Sequence, residues 1–275
     1  ATFFTPHIIN GMNYAHTKLF PYREMGILIV FLAAITFFVR PSIGQFMWNV
    51  LGAPRTALLL TQDARFAMEI GNYYFNGGDY DLEQAERAYQ KALSLDPSIL
   101  WGHYQLARIY FVKTMFDHAI EEINQELAVR PENLRSLYMR GLIYGYQGNL
   151  AKAEEDFKAF IQWAPKEWAG YNDLCWILLK EKKYEEARAI AMLGIQNAPY
   201  GDQNAWLWNN RGVAELNLKR YQEAESSLKR TLILADQLTL AQWQRAYSGN
   251  NPSNAESGLA QFKSAIRSNL DRAQK

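Results

Sequence analysis

Residues 100–133 read LWGHYQLARIYFVKTMFDHAIEEINQELAVRPEN, residues 134–167 read LRSLYMRGLIYGYQGNLAKAEEDFKAFIQWAPKE, and residues 168–201 read WAGYNDLCWILLKEKKYEEARAIAMLGIQNAPYG. Laid over one another at a step of 34, they share their landmarks: Ala107, Gly141 and Cys175; Ala119, Ala153 and Ala187; Pro97, Pro131, Pro165 and Pro199. Tyr110, Tyr144 and Leu178 keep the same step, as do Phe116, Leu150 and Tyr184. A fixed period of this length is the signature of a stacked array. Inside each unit, apolar residues recur at three- and four-residue steps through two helix-length stretches, with a short turn between them. The small residues fall where the two helices cross and let the backbones approach. Tyr110, Tyr144, Phe157 and Phe160 fill the remaining space. Each Pro closes the second helix, because it has no N–H to continue the ladder. The expected fold is all-α, a solenoid of helix–turn–helix pairs.

Working outward, GNYYFNGGDYDLEQAERAYQKALSLDP (71–97) carries the same Gly, Tyr, Ala and Pro landmarks with two extra residues in its inter-helix turn. After a three-residue insertion near 202–204, WLWNNRGVAELNLKRYQEAESSLKRTLIL (206–234) places Gly212, Tyr221, Ala224 and Thr231 in the landmark positions. With AIEEINQELAVRP (119–131) and AEEDFKAFIQWAP (153–165), these stretches resemble the tetratricopeptide repeat family over about three quarters of the chain. The units expected are 64–99, 100–133, 134–167, 168–201 and 205–236. A degenerate sixth unit or cap follows at 237–275, in which Trp243, Ala246, Gly258, Phe262 and Ala265 hold the spacing loosely. Terminal units of solenoids are atypical because one face meets water.

The resemblance implies a right-handed solenoid whose first helices line a concave groove for protein partners. By register the groove takes Arg65, Met68, Asn72 and Phe75 from the first unit, and Trp101, Tyr104, Arg108 and Phe111 from the second. Arg135, Tyr138, Leu142 and Tyr146 come from the third, then Asn172, Trp176, Leu179, Asn209 and Val213 from the fourth and fifth. Aromatic residues with a few Arg are what recognition surfaces favour. Equally, several of these rings are candidates for simple packing between repeats. Some family members grip a chaperone C-terminal carboxylate with five polar residues. Those places hold Met68, Asn72, Gln105, Arg135 and Met139 here, and only Asn72 matches, so an apolar or aromatic peptide or a partner helix suits this groove better.

Ahead of the repeats, an N-terminal tail (1–24) leads into MGILIVFLAAITFFV (Met25 to Val39), fifteen residues without a charge. As a helix this is about 22 Å long, short of the roughly 30 Å hydrocarbon core. Snorkelling of Arg23 and Arg40, with Tyr22 and Trp48 at the interfaces, makes up much of the difference. The expectation is a single-pass membrane anchor with a kinked continuation to residue 55 and a helical linker at 56–63. Burial against other subunits of a large assembly is the alternative, and a core helix or signal peptide fits less well. Lys18 and Arg23 balance Arg40 and Arg55, so orientation is unreadable.

A net charge of +1 gives no reason to expect nucleic acid. His7, His16, His103 and His118 show no metal-ligand spacing with each other or with Cys175, which occupies a packing position. Gly77-Gly78-Asp79 reads as a turn. No nucleophile elbow, phosphate loop or dinucleotide fingerprint appears, so neither an enzyme nor a cofactor is expected. The function expected is a membrane-anchored scaffold or assembly factor. The alternative is a structural subunit of a large complex or of a homo-oligomeric ring or filament.

Overall fold

The computed structural model describes residues 43–77, 80–246 and 252–275. Two units divide the chain, Ala1–Asp63 and Ala64–Lys275. In the first, α1 (43–49) is followed by α2 (Pro54–Leu60), with Gly52 in the left-handed region between them at φ +57°. Gly44 lies so close to α2 that a Cβ there would be 3.3 Å from the Ala57 carbonyl oxygen. The uncharged run Met25 to Val39 lies outside the described residues, and no described helix is long and apolar enough to cross a membrane. The linker is not one continuous helix: α2 ends at Leu60, and the Thr61 hydroxyl accepts from the Asp63 N–H in a tight turn.

Among the described residues of the second unit, the regular structure is all helical. Helix α3 (Ala64–Asn72) pairs with α4 (Leu82–Leu95), α5 (Gly102–Val112) with α6 (Phe116–Val129), and α7 (Leu134–Gln147) with α8 (Leu150–Trp163). Then α9 (Trp168–Lys180) pairs with α10 (Tyr184–Asn197), and α11 (Ala205–Asn217) with α12 (Tyr221–Asp236). Each second helix packs on the next first helix, and consecutive first helices α5, α7, α9 and α11 touch in series. The first helices therefore share one continuous face.

The helix ends follow from the sequence. Helices α4, α6, α8 and α10 each stop two residues before a Pro, because Pro disfavours the α region for the residue ahead of it. The capping residues Asp96, Arg130, Ala164 and Ala198 accordingly leave the helical region. At the other end, Asp81 accepts from the N–H groups of Glu83 and Gln84, and Asn133 and Asn204 cap α7 and α11 the same way. The turns inside the pairs were less legible. Thr114, Gly148, Lys182 and Lys219 all adopt positive φ, with a six-residue backbone bond closing each turn, such as Lys183 N–H to the Leu178 carbonyl at 2.9 Å. Only one of the four is glycine.

Close packing sits where the small residues predicted it. Ala107, Cys175, Ala119, Ala153 and Ala187 are fully buried, and the Cys175 thiol donates to the Ala187 carbonyl across the crossing at 3.3 Å. A Cβ on Gly71 would stand 2.4 Å from the Tyr89 ring, which is why that crossing needs glycine.

The two extra residues of the first unit extend α3 through a π-helical turn, Tyr73–Gly77, and the insertion before the fifth is a 3-10 turn, Gly201–Gln203. At the C-terminus, α13 (Leu240–Ala246) is short, and the long α14 (Ala255–Ala273) packs directly on α12 and α11. Leu270 and Ala273 reach the core of Leu216, Ala224 and Leu228. Ala265, which holds the landmark spacing loosely, is exposed, because α14 turns Ile266 inward instead.

Candidate functional site

The shared face of the first helices carries most of the expected residues at its surface. Arg65, Arg135 and Tyr146 are exposed, while Asn72, Trp101, Tyr104, Arg108, Phe111, Tyr138, Leu142, Asn172, Trp176, Leu179, Asn209 and Val213 are half-buried. Met68 and Phe75 are buried instead. The π-helical turn carries Phe75 against Tyr80 and beneath the Arg108 guanidinium, 4.5 Å from the ring centre. Met139, at one of the clamp positions, is buried too. Asn72 accepts from the Tyr89 hydroxyl and the Gln105 amide, so it braces two helices.

The rings form two groups along the face. Near the first units, Trp101 meets Tyr104 edge-on at 5.3 Å, with the Arg135 guanidinium over Trp101. Trp101 itself takes a left-handed backbone (φ 70°) at the start of α5. Farther along, Phe111, Tyr146 and Trp176 follow one another on α5, α7 and α9 with centroids 5.1 and 4.9 Å apart. Gly145 makes this row possible, since a Cβ there would lie 2.6 Å from the Trp176 ring. Lys180 closes the row, its ammonium 4.3 Å above Trp176. Tyr138 and Trp176 also pack on the core shared by the third and fourth units, so they are both structural and accessible.

Reading by register missed a polar chain that links these helices. Tyr138 of α7 donates its hydroxyl to Asp173 of α9. Asn172 donates to the other Asp173 oxygen at 2.9 Å, and Asn210 of α11 donates to Asn172 at 2.9 Å. A carboxylate one residue from an expected groove position, with Tyr one unit earlier, was the available signal. Burial pushes the Asp173 carboxyl up to about 6, the hydrogen bonds from Tyr138 and Asn172 offsetting only part of the desolvation. Burial, with the Asp173 charge adding to it, raises Tyr146 as well.

This carboxyl sets a pH dependence. Between its ordinary value of 3.8 and about 6, the folded chain holds a proton that the unfolded chain has released. Stability therefore falls as pH rises through that window. Glu154 acts oppositely. Burial raises it, but hydrogen bonds from Lys158 and Lys183 outweigh that and bring it down to about 2, so its stabilisation is present above pH 4.5 and is lost toward pH 2. Allowing for the partial exposure of Asp173, we expect a loss of about 2 kcal/mol between pH 4 and pH 7. Urea unfolding at both pH values should show it, and Asp173→Asn should remove it.

Other polar groups brace the helix pairs. His103 contacts Glu122 at 2.7 Å within the second unit, and Glu154 joins Lys158 to Lys183 of the next unit. Trp168, Trp206, Trp243 and Phe262 stack through the C-terminal units with neighbouring centroids 5.1–6.0 Å apart. Among the described residues, no three His, Cys, Asp or Glu side chains gather as metal ligands.

The tetratricopeptide repeat profile matches residues 64–99 and 134–167. The TPR repeat-containing protein MJ1428 of Methanocaldococcus jannaschii is 31% identical over 134 residues, 49% of this chain and 23% of that protein. The tetratricopeptide repeat and J domain-containing co-chaperone DNJ1 of Cryptococcus neoformans is 28% identical over 42% of this chain and 20% of its own length. The chain thus spans about a quarter or less of these two relatives. Among solved structures, YrrB, a TPR protein with an unusual peptide-binding site, superposes with a TM-score of 0.52 at 21% identity, covering 67% of this chain and 93% of that one. MamA gives 0.55 at 17% identity, over 67% and 95%. At these identities the structures speak for the fold alone. Tetratricopeptide repeats generally mediate protein–protein interaction. Helix pairing, landmark spacing, profile and fold agree: the chain carries tetratricopeptide repeats.

Proposed function

We propose that this chain is a non-enzymatic scaffold that holds a segment of a partner protein along the shared face of its first helices. The observation that carries this reading is the row Phe111–Tyr146–Trp176. Three rings on three successive units stand in contact, and Tyr146 keeps 57% of its surface open to solvent. Aromatic rings bury large area at small entropic cost, and a row spanning three rigid helices presents them pre-organised. The uncharged run Met25 to Val39 would attach such a scaffold to a membrane, with attachment to neighbouring subunits as the alternative.

A photo-crosslinking amino acid at position 146 should capture a discrete partner in the native setting. Position 163 is the control, since Trp163 ends a second helix and is 74% exposed. Equal capture at both positions would refute the assignment of the face. Removing residues 1–55 should move the protein from the membrane fraction to the soluble one. Unchanged fractionation would exclude the anchor.

A further inference from the structure

We infer that the bound segment presents a basic side chain, Lys or Arg, to Asp173, with the rings of Tyr138, Tyr146 and Trp176 around it. This rests on the proposed scaffold function and names the chemistry of the partner segment.

The argument begins with how the other acids of the solenoid are satisfied. Within its helices, every other buried or half-buried carboxylate meets a Lys, Arg or His: Glu86 has Lys113, Glu126 has Arg130, Asp156 has Arg140, and Glu215 has Arg188 and Arg211. Asp173 departs from this pattern. Its partners are neutral donors, the Tyr138 hydroxyl and the Asn172 amide, and no ammonium or guanidinium of the described residues comes within ion-pair distance. A desolvated carboxylate without a counter-ion is costly, and a cation arriving with a ligand relieves that cost.

The cations of the same face are otherwise engaged. Lys180, on the same helix, lies over Trp176 and donates to the Gly145 carbonyl, while Arg135 lies over Trp101 and Arg211 pairs with Glu215. The surroundings of Asp173 suit a cation in a second way. Trp176 follows one turn along the same helix face, and the Tyr146 ring meets it with centroids 4.9 Å apart. Ring faces attract ammonium and guanidinium groups. A carboxylate set among rings therefore selects a basic residue flanked by apolar ones, and an acidic residue there would meet like charge.

The test uses the full chain in detergent and a displayed library of random 12-residue peptides. Selected peptides should be enriched in Lys or Arg between apolar residues. For a selected peptide and its Lys→norleucine analogue, Asp173→Asn should weaken the first by about tenfold and leave the second unchanged. The circular dichroism spectrum and melting temperature of the variant establish that it is folded. Selected peptides that lack a basic residue, or a basic preference that survives Asp173→Asn, would overturn the inference and leave the scaffold reading standing. If no peptide is selected at all, both fall.

Discussion

Phe157→Ala should lower the unfolding free energy by about 3–5 kcal/mol, the range for emptying a fully buried aromatic site. The ring is completely inaccessible to solvent. It lies against the bare backbone of Gly141, where a Cβ would come within 3.0 Å, and meets Tyr138 edge-on at 5.7 Å. Leu174, Ile177 and Leu178 of α9 complete the same cluster, so the cavity opens between the third and fourth units. Solenoid stability is approximately a sum of unit and nearest-neighbour terms, so weakening one junction should also broaden the transition. Urea unfolding followed by circular dichroism measures both effects. Trp163→Ala, on the same helix but exposed, should fall within about 0.5 kcal/mol of the parent. A Phe157→Ala cost below about 1 kcal/mol would mean that the site collapses and that the junction is not held by this ring.

Glu215→Ala should cost about 3 kcal/mol, for a different reason. One Glu215 oxygen accepts from Arg188 of α10 at 3.1 Å and from Arg211 of its own helix at 2.7 Å. The other accepts from the Ser227 hydroxyl of α12 at 2.6 Å, and the side chain is wholly buried. Truncation strands two guanidinium groups and a buried hydroxyl at the junction of three helices. The arginines keep about a quarter of their side-chain surface open, so water recovers part of the loss. Glu215→Gln keeps acceptors for some of these donors and should cost roughly half as much. Thermal unfolding of the two variants ranks them. Equal losses would show that charge, and not hydrogen bonding, dominates the site.

Much of the architecture was legible in the sequence because it is set by local chemistry. Small residues at Ala107, Gly141 and Cys175 must lie at helix crossings, and prolines at 34-residue steps must end helices. Neither depends on a distant partner. The inter-helix turns were harder, since Thr114, Lys182 and Lys219 take left-handed backbone without being glycine. There the packed helices on either side impose a conformation that the residue itself disfavours.

The candidate site was legible only as a face. Tyr146 is exposed and Trp176 half-buried on the face that register assigns them, because position on a helix fixes direction. It could not foresee that a π-helical turn carries Phe75 into the core, or that Met68 packs there.

What the sequence determined by itself is the repeat: helix lengths, crossing points and stops follow from residue type and period. The tertiary structure alone decided which charges are paired. Ion pairs such as Arg188–Glu215 join residues 27 positions apart across different helices. Asp173 acquires its neutral partner Tyr138 from a helix 35 positions away. The desolvation of that carboxylate is a property of the stacked units together, because no single repeat can exclude water from a group on its own surface.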